Sequence, residues 1–336
     1  MAYYNKSPQN NGDGKNAEDR ALDTFANMMI EKIESLGSKD GWQKPWFTEG
    51  TLSWPKNLSG REYNGMNALL LTMLCEKKGY ELPVFCTFNR AVGLNYQTDK
   101  QGNKKQMTDA NGEPLPKVCI NKGEKSFPVM LTSFTIVHKE TKEKIPYDEY
   151  KRMSAEEQKE YNVYPKLNVY QVFNVAQTNL KEARPELYAK LEAENKPEKA
   201  LVQEGDMYSF PAVDKMFKDQ KWICPINIEH QDNAFYSISR NEITIPEKAQ
   251  FKDGESWYGT AFHEMVHSTG AENQLNRLQP QSGFGSDEYA REELVAELGS
   301  ALVCQKYGMT KNLKEDSAAY LKSWLGSLKE SPSFIK

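Results

Sequence analysis

The run Phe262-His263-Glu264-Met265-Val266-His267 sets two imidazoles four residues apart, with a carboxylate directly after the first. On a helix, positions i and i+4 lie one above the other, so both rings reach one ion from one face while Glu264 stands beside it. Two imidazole nitrogens with a neighbouring carboxylate form a borderline donor set that suits zinc, and the HExxH spacing is that of metallopeptidases. Only four histidines occur in the 336 residues, and two of them fall in this motif. The expectation is one Zn2+ per chain, held by His263 and His267, with Glu264 as the general base that takes a proton from the attacking water.

A catalytic zinc needs a third protein ligand and an open position, and no histidine follows His267. The next predicted helix supplies Glu292, Glu293 and Glu297. Glu293 and Glu297 are i and i+4 and share a face, so one can bind the ion while the other holds an imidazole from behind. That spacing leaves Glu292 out of the pair and does not decide which of the other two is the ligand. Tyr289, His230 and Tyr236 are unranked candidates for steadying an oxyanion, and Ala234–Ile245 offers an edge strand to an extended peptide.

A second constellation lies near the N-terminus. Residues 42–67 interleave Trp42, Trp46, Trp54 and Tyr63 with Lys44, Lys56 and Arg61, and Lys122 and Lys125 sit on a turn further on. Aromatic faces stack unpaired bases and cations neutralise phosphates, a combination suited to single-stranded nucleic acid. Basic residues outnumber acidic ones over 41–178 and the reverse holds over 206–336, in a chain of net charge -4.

The elements that must position these residues follow from periodicity. Apolar residues at three- and four-residue steps predict a helix from Ala17 to about Leu36, and another covers Met66–Lys78, stopped by Gly79. Residues 116–139 alternate around a glycine as strands joined by a turn, and Lys166–Ala176 reads as a further strand. Residues 234–246 read as a hairpin or edge strand. Helices follow over Ser256–Thr269, Ser286–Tyr307 and Leu313–Leu328.

The resulting expectation is an α+β protein of two domains. Residues 1–16 form a flexible tail, 17–180 an N-terminal nucleic-acid-binding domain, 181–205 a linker and 206–336 the metallopeptidase domain. No apolar run reaches the roughly 18 residues of a membrane helix and no secretory signal opens the chain, which predicts a cytoplasmic protein with no membrane partner. Five scattered cysteines form neither a disulfide framework nor a metal knuckle.

The strings WQKPW, NLSGREYNGMN, VCINKGEKSFPV and VYQVFNVAQT resemble the N-terminal domain of ArdC-type antirestriction proteins. AFYSISRNEITIP, WYGTAFHEMVHSTG and YAREELVAELGSAL are similar to the zincin domain that follows it there. The resemblance spans about residues 20 to 330, with a charged insertion at 147–160, and relatives run on through further helix where this chain stops. It implies single-stranded DNA as partner, an unidentified peptide substrate, and protection of incoming DNA from restriction on behalf of a conjugative element or phage. It also implies Glu293 as the third metal ligand, Glu264 as the catalytic residue and Glu297 behind the ligands. The rival expectation is a DNA-binding protein whose zinc is structural.

Overall fold

The computed structural model describes residues 14–36, 46–47, 53–99, 101–196, 202–204, 207–278, 286–309 and 320–332. It is α+β, in two compact units whose segments interleave along the chain: Met1–Thr24, Cys86–Phe173 and Gln177–Asn179 in one, Phe25–Phe85, Asn174–Ala176 and Leu180–Lys336 in the other. No helix among the described residues is long and apolar enough to cross a membrane.

The first unit is built on a long antiparallel ribbon. Phe127–His138 pairs with Tyr161–Asn174 in an unbroken register from Phe127↔Val172 to His138↔Tyr161. The connection between them carries the short helix Tyr147–Tyr150, whose tyrosines lie against the ribbon: Tyr147 stacks on Phe134 with ring centroids 4.4 Å apart. Residues 116–126, expected as a strand, are a loop instead. Its backbone is satisfied partly by an isolated bridge between Ile120 and Thr178 and partly by side chains: Asn95 exchanges both amide bonds with Val118 at 2.7 and 3.0 Å and Asn179 accepts from the Cys119 N–H at 2.8 Å. Such side-chain partners give an alternating sequence an alternative to a ladder.

In the second unit, the helix Gly65–Lys78 ends where Gly79 takes φ 67°, the left-handed turn that closes a helix. Downstream, Glu242–Pro246 is the centre of a three-stranded sheet, parallel to Ile226–Glu229 and antiparallel to Phe235–Ser237. Ile243 and Ile245 point from this sheet into a core with Phe217, Trp257, Phe262 and Met265. The latter three belong to the helix Gly254–Ser268, which Asp253 caps by accepting from the Ser256 N–H at 2.7 Å. The helix begins on a glycine of necessity: a Cβ at Gly254 would lie 2.1 Å from the Tyr208 carbonyl oxygen. Against it packs the helix Asp287–Lys306, capped by Ser286. Gly299 permits the close approach, because a Cβ there would meet Val266 Cγ2 at 2.8 Å.

Two expectations need amending. The stretch read as a linker carries the helix Pro185–Glu194, with Leu191 buried. The last helix is Leu321–Glu330, fixed by Trp324 donating to the Ala290 carbonyl at 2.6 Å, while residues 313–319 lie outside the described residues.

Candidate metal centre

The motif helix and the acidic helix bring three ligand-bearing side chains together. His263, His267 and Glu293 each offer one atom within 4.8 Å of the others. The two Nε2 atoms are 3.1 Å apart, and Glu293 stands 3.4 Å from His263 Nε2 and 3.6 Å from His267 Nε2. Two nitrogens bound to one tetrahedral ion at about 2.0–2.1 Å lie about 3.3 Å apart, so the donor set fits a divalent metal in both chemistry and spacing. His263, Glu264, Glu293 and Glu297 are all buried.

Each imidazole also has a carboxylate behind it. His263 Nδ1 lies 3.5 Å from Glu297 Oε1, and the other oxygen of Glu297 accepts from the Trp46 indole N–H at 3.2 Å. His267 Nδ1 lies 3.3 Å from Glu292 Oε1, and Glu292 is clamped on both oxygens by Arg277, at 2.9 and 3.1 Å. Arg277 reaches back as well to the Val266 carbonyl and Thr269 Oγ1, tying the loop after the motif helix to its last turn. A carboxylate on the outer nitrogen fixes both the tautomer and the ring orientation of a ligating histidine.

The electrostatics follow from this packing. Burial opposes charge on His267, yet its bonds with Glu292 and Glu293 outweigh that and push it up to about 9. Burial likewise opposes ionisation of Glu293, but the two imidazoles hold its carboxyl well below the ordinary range. Glu292 is lowered against burial by His267 and Arg277. Half-buried Tyr289 is raised by desolvation and by the charge of Glu293, with which it hydrogen-bonds, and Glu264 contributes to the same field.

Tyr289 therefore adjoins Glu293, unlike the other two oxyanion candidates. His230 is exposed and faces Glu247 at 3.3 Å, while Tyr236 donates to Asn241 at 2.8 Å.

The i, i+4 spacing of Glu293 and Glu297 describes carboxylates sharing one face and so does not include Glu292. The outer nitrogens of the two rings point in different directions, so the neighbouring stripe of the acidic helix serves the second ring. The Arg277 clamp comes from a loop and leaves no periodic signal.

The residues expected on a nucleic-acid surface divide. Trp42 and Lys44 lie outside the described residues. Trp46 is 0% exposed and engaged with Glu297, so its ring is unavailable for stacking on a base. Trp54 is half-buried, donating to the Tyr63 carbonyl at 2.7 Å with Lys306 Nζ 4.9 Å above its ring, and Tyr63 meets Phe85 edge-on at 6.3 Å. Lys56 is half-buried in a short strand, whereas Arg61 is exposed on a turn organised by the Asn57 side chain. In the other unit, Lys122 and Lys125 are exposed around Gly123, which takes φ 90°.

Comparison with known proteins accords with this architecture. Residues 19–173 match the N-terminal domain of anti-restriction factor ArdC, and residues 211–336 match a zincin-like metallopeptidase domain. Two Escherichia coli proteins described as DNA primase TraC are 27% and 26% identical over 92% and 91% of this chain. The chain spans only 18% and 25% of their lengths. A Sinorhizobium fredii protein, y4eC, is 24% identical over 92% of this chain and 84% of its own. Crystal structures of the antirestriction ArdC protein from the R388 plasmid share the fold at 24% identity. The metal-free form has a TM-score of 0.59, covering 94% of this chain and 90% of that one. The Mn(II)-bound form has a TM-score of 0.61, covering 94% and 91%. Both models are matched in order, so the chain has the two-domain architecture of the ArdC type, a domain matching the N-terminal domain of anti-restriction factor ArdC followed by a zincin-like metallopeptidase domain.

Proposed function

We propose that this protein binds single-stranded DNA through its N-terminal domain, residues 17–180, and hydrolyses a peptide substrate at a zinc centre in residues 206–336, protecting incoming DNA of a mobile element in the cytoplasm. The observation that carries the enzymatic part is the donor set: two imidazoles and one carboxylate within 4.8 Å, with a further buried carboxylate, Glu264, adjoining them.

When bound, zinc supplies Lewis acidity and lowers the pKa of a water toward about 7. His263, His267 and Glu293 hold the ion, while Glu297 and Glu292 keep the two rings in orientation. Glu264 accepts the proton of the attacking water and returns it to the leaving amine. Tyr289, kept protonated at neutral pH, donates to the developing oxyanion. The edge strand Phe235–Ser237 aligns an extended peptide backbone.

The rival reading is a structural zinc in a DNA-binding protein. Among the described residues the cluster contains three ligands, the number that leaves a tetrahedral ion open. Glu264→Gln keeps side-chain size and removes the base. The variant is expected to fold, hold about one zinc per chain and bind DNA while losing hydrolysis by several orders of magnitude. Zinc-loaded Glu264→Gln that cleaves as fast as the parent would refute the mechanism, and loss of restriction protection in this variant would make proteolysis the effector.

A further inference from the structure

The ribbon of the first unit has two unlike faces. Opposite residues of an antiparallel pair point the same way, so Phe134, Ile136 and Tyr161 share one face and Tyr164, Lys166 and Tyr170 share the other. The first face is covered in part: Phe134 lies under Tyr147, Ile136 is buried, and Tyr161 meets Tyr150 at 6.2 Å, while Val163 on the same face is 37% exposed. The second is open over most of its length. Tyr164 is 54% exposed and Tyr170 45%, with Leu131 between them across the ladder at 46%.

The chemistry of the open face is selective. Neither Phe127–His138 nor Tyr161–Asn174 contains a single Asp or Glu, in a chain with 47 of them, and Lys166 projects between the two tyrosines. The centre carries a polar pair, since Asn168 donates to Ser133 Oγ at 2.8 Å and to the Lys166 carbonyl at 3.1 Å. At about 3.3 Å per residue the two tyrosines are about 20 Å apart, room for several nucleotides of one strand. Rings this exposed gain from flat apolar faces, which unpaired bases present and a duplex hides.

We infer that this open face is the platform on which single-stranded DNA lies, Tyr164 and Tyr170 stacking bases and Lys166 meeting a phosphate between them. The inference rests on the reading of the protein as a single-strand binder and names a site apart from the tryptophan-rich segment.

The test is fluorescence anisotropy of the full chain with a short labelled oligothymidylate. Replacing Tyr164→Ala and Tyr170→Ala together should weaken binding at least about tenfold, and the Phe–Phe pair should restore it, because stacking needs the ring and not the hydroxyl. Lys166→Ala should flatten the slope of log affinity against log salt by about 0.7. Photocrosslinking of bromouracil-substituted DNA to the unaltered protein should label the ribbon tyrosines. Parent-like binding by the Ala–Ala variant, or crosslinks confined to other segments, would overturn the platform while leaving single-strand binding intact. Absence of binding by the parent at low salt would remove the underlying reading and the platform with it. A change of oligomeric state in the Ala–Ala variant at unaltered DNA affinity would assign the face to self-association instead.

Discussion

The Trp46 indole donates to Glu297 across 251 residues of sequence, and Glu297 in turn backs His263. An aromatic residue from the segment that looks most like a DNA platform is thereby part of the support of a metal ligand. Trp46→Phe keeps most of the buried volume and deletes the donor. The expected result is metal affinity lowered by about tenfold in a competitive chelator titration, at the weak end for loss of an outer-shell contact. DNA affinity should be unchanged; a selective loss of DNA binding would return Trp46 to the nucleic-acid surface.

The second histidine makes a matching case. Glu292→Gln should weaken metal binding by about 10- to 100-fold without removing a ligand, since His267 loses the carboxylate on its outer nitrogen. Arg277→Met should do part of the same, and the double variant should lose less than the sum, because both changes break one chain of contacts. Additive losses would separate Arg277 from His267.

Ligand identity is read by elemental analysis. His263→Ala and Glu293→Ala should leave the purified protein with little zinc where the parent holds about one per chain. Full occupancy in Glu293→Ala would shift the third ligand elsewhere. Stripping the parent with a chelator should lower its melting temperature and restoring zinc should raise it, because an ion bound only by the folded state stabilises that state.

The cysteines give a pH signature. Burial, with a smaller effect of Glu76, pushes the Cys75 thiol up to about 12, and burial takes Cys86 to about 11, from an ordinary value of 9.0. A raised folded pKa contributes stability that is fully present below the unfolded value and is lost as pH climbs through the folded one. These groups should therefore leave stability flat below about pH 9 and erode it from there toward about 12. With a chromogenic disulfide at pH near 8, Cys119 alone should react quickly, as the other four thiols are buried. Fast reaction of several thiols in the folded protein would contradict that burial.

Helix spacing is open to a direct probe. Gly299→Ala sets a methyl 2.8 Å from Val266 Cγ2 and should destabilise the protein by about 1–3 kcal/mol, with Val266→Ala recovering much of the loss. A neutral single substitution in a thermal melt would mean that the helices have room to spare.

How far the sequence could be read depends on the range of each interaction. His263, Glu264 and His267 were legible because one helical turn places them, and Gly79 because it ends a helix through its own φ. Glu293 and Glu297 were legible as a pair, though which served as the third ligand needed the family resemblance. Trp46 and Arg277 were not, since their partners are assembled only by tertiary folding and a buried tryptophan has the same letter as an exposed one. Residues 116–126 are not a strand because alternation describes one only when a neighbouring strand takes its hydrogen bonds along its length, and here a single bridge and the Asn95 and Asn179 side chains take them. The open ribbon face is likewise not legible in the sequence, because an alternating strand does not say which of its faces will be covered.

The indole behind Glu297 also bears on what a minimal metallopeptidase fragment would be. A polypeptide beginning at residue 206 would contain the whole motif helix, the acidic helix and every candidate ligand, and would still lack the N–H that holds Glu297. The boundary read from composition and the boundary drawn by hydrogen bonds are different boundaries. A transplant of this centre into another protein would have to carry a stretch from near the beginning of the chain along with its last third.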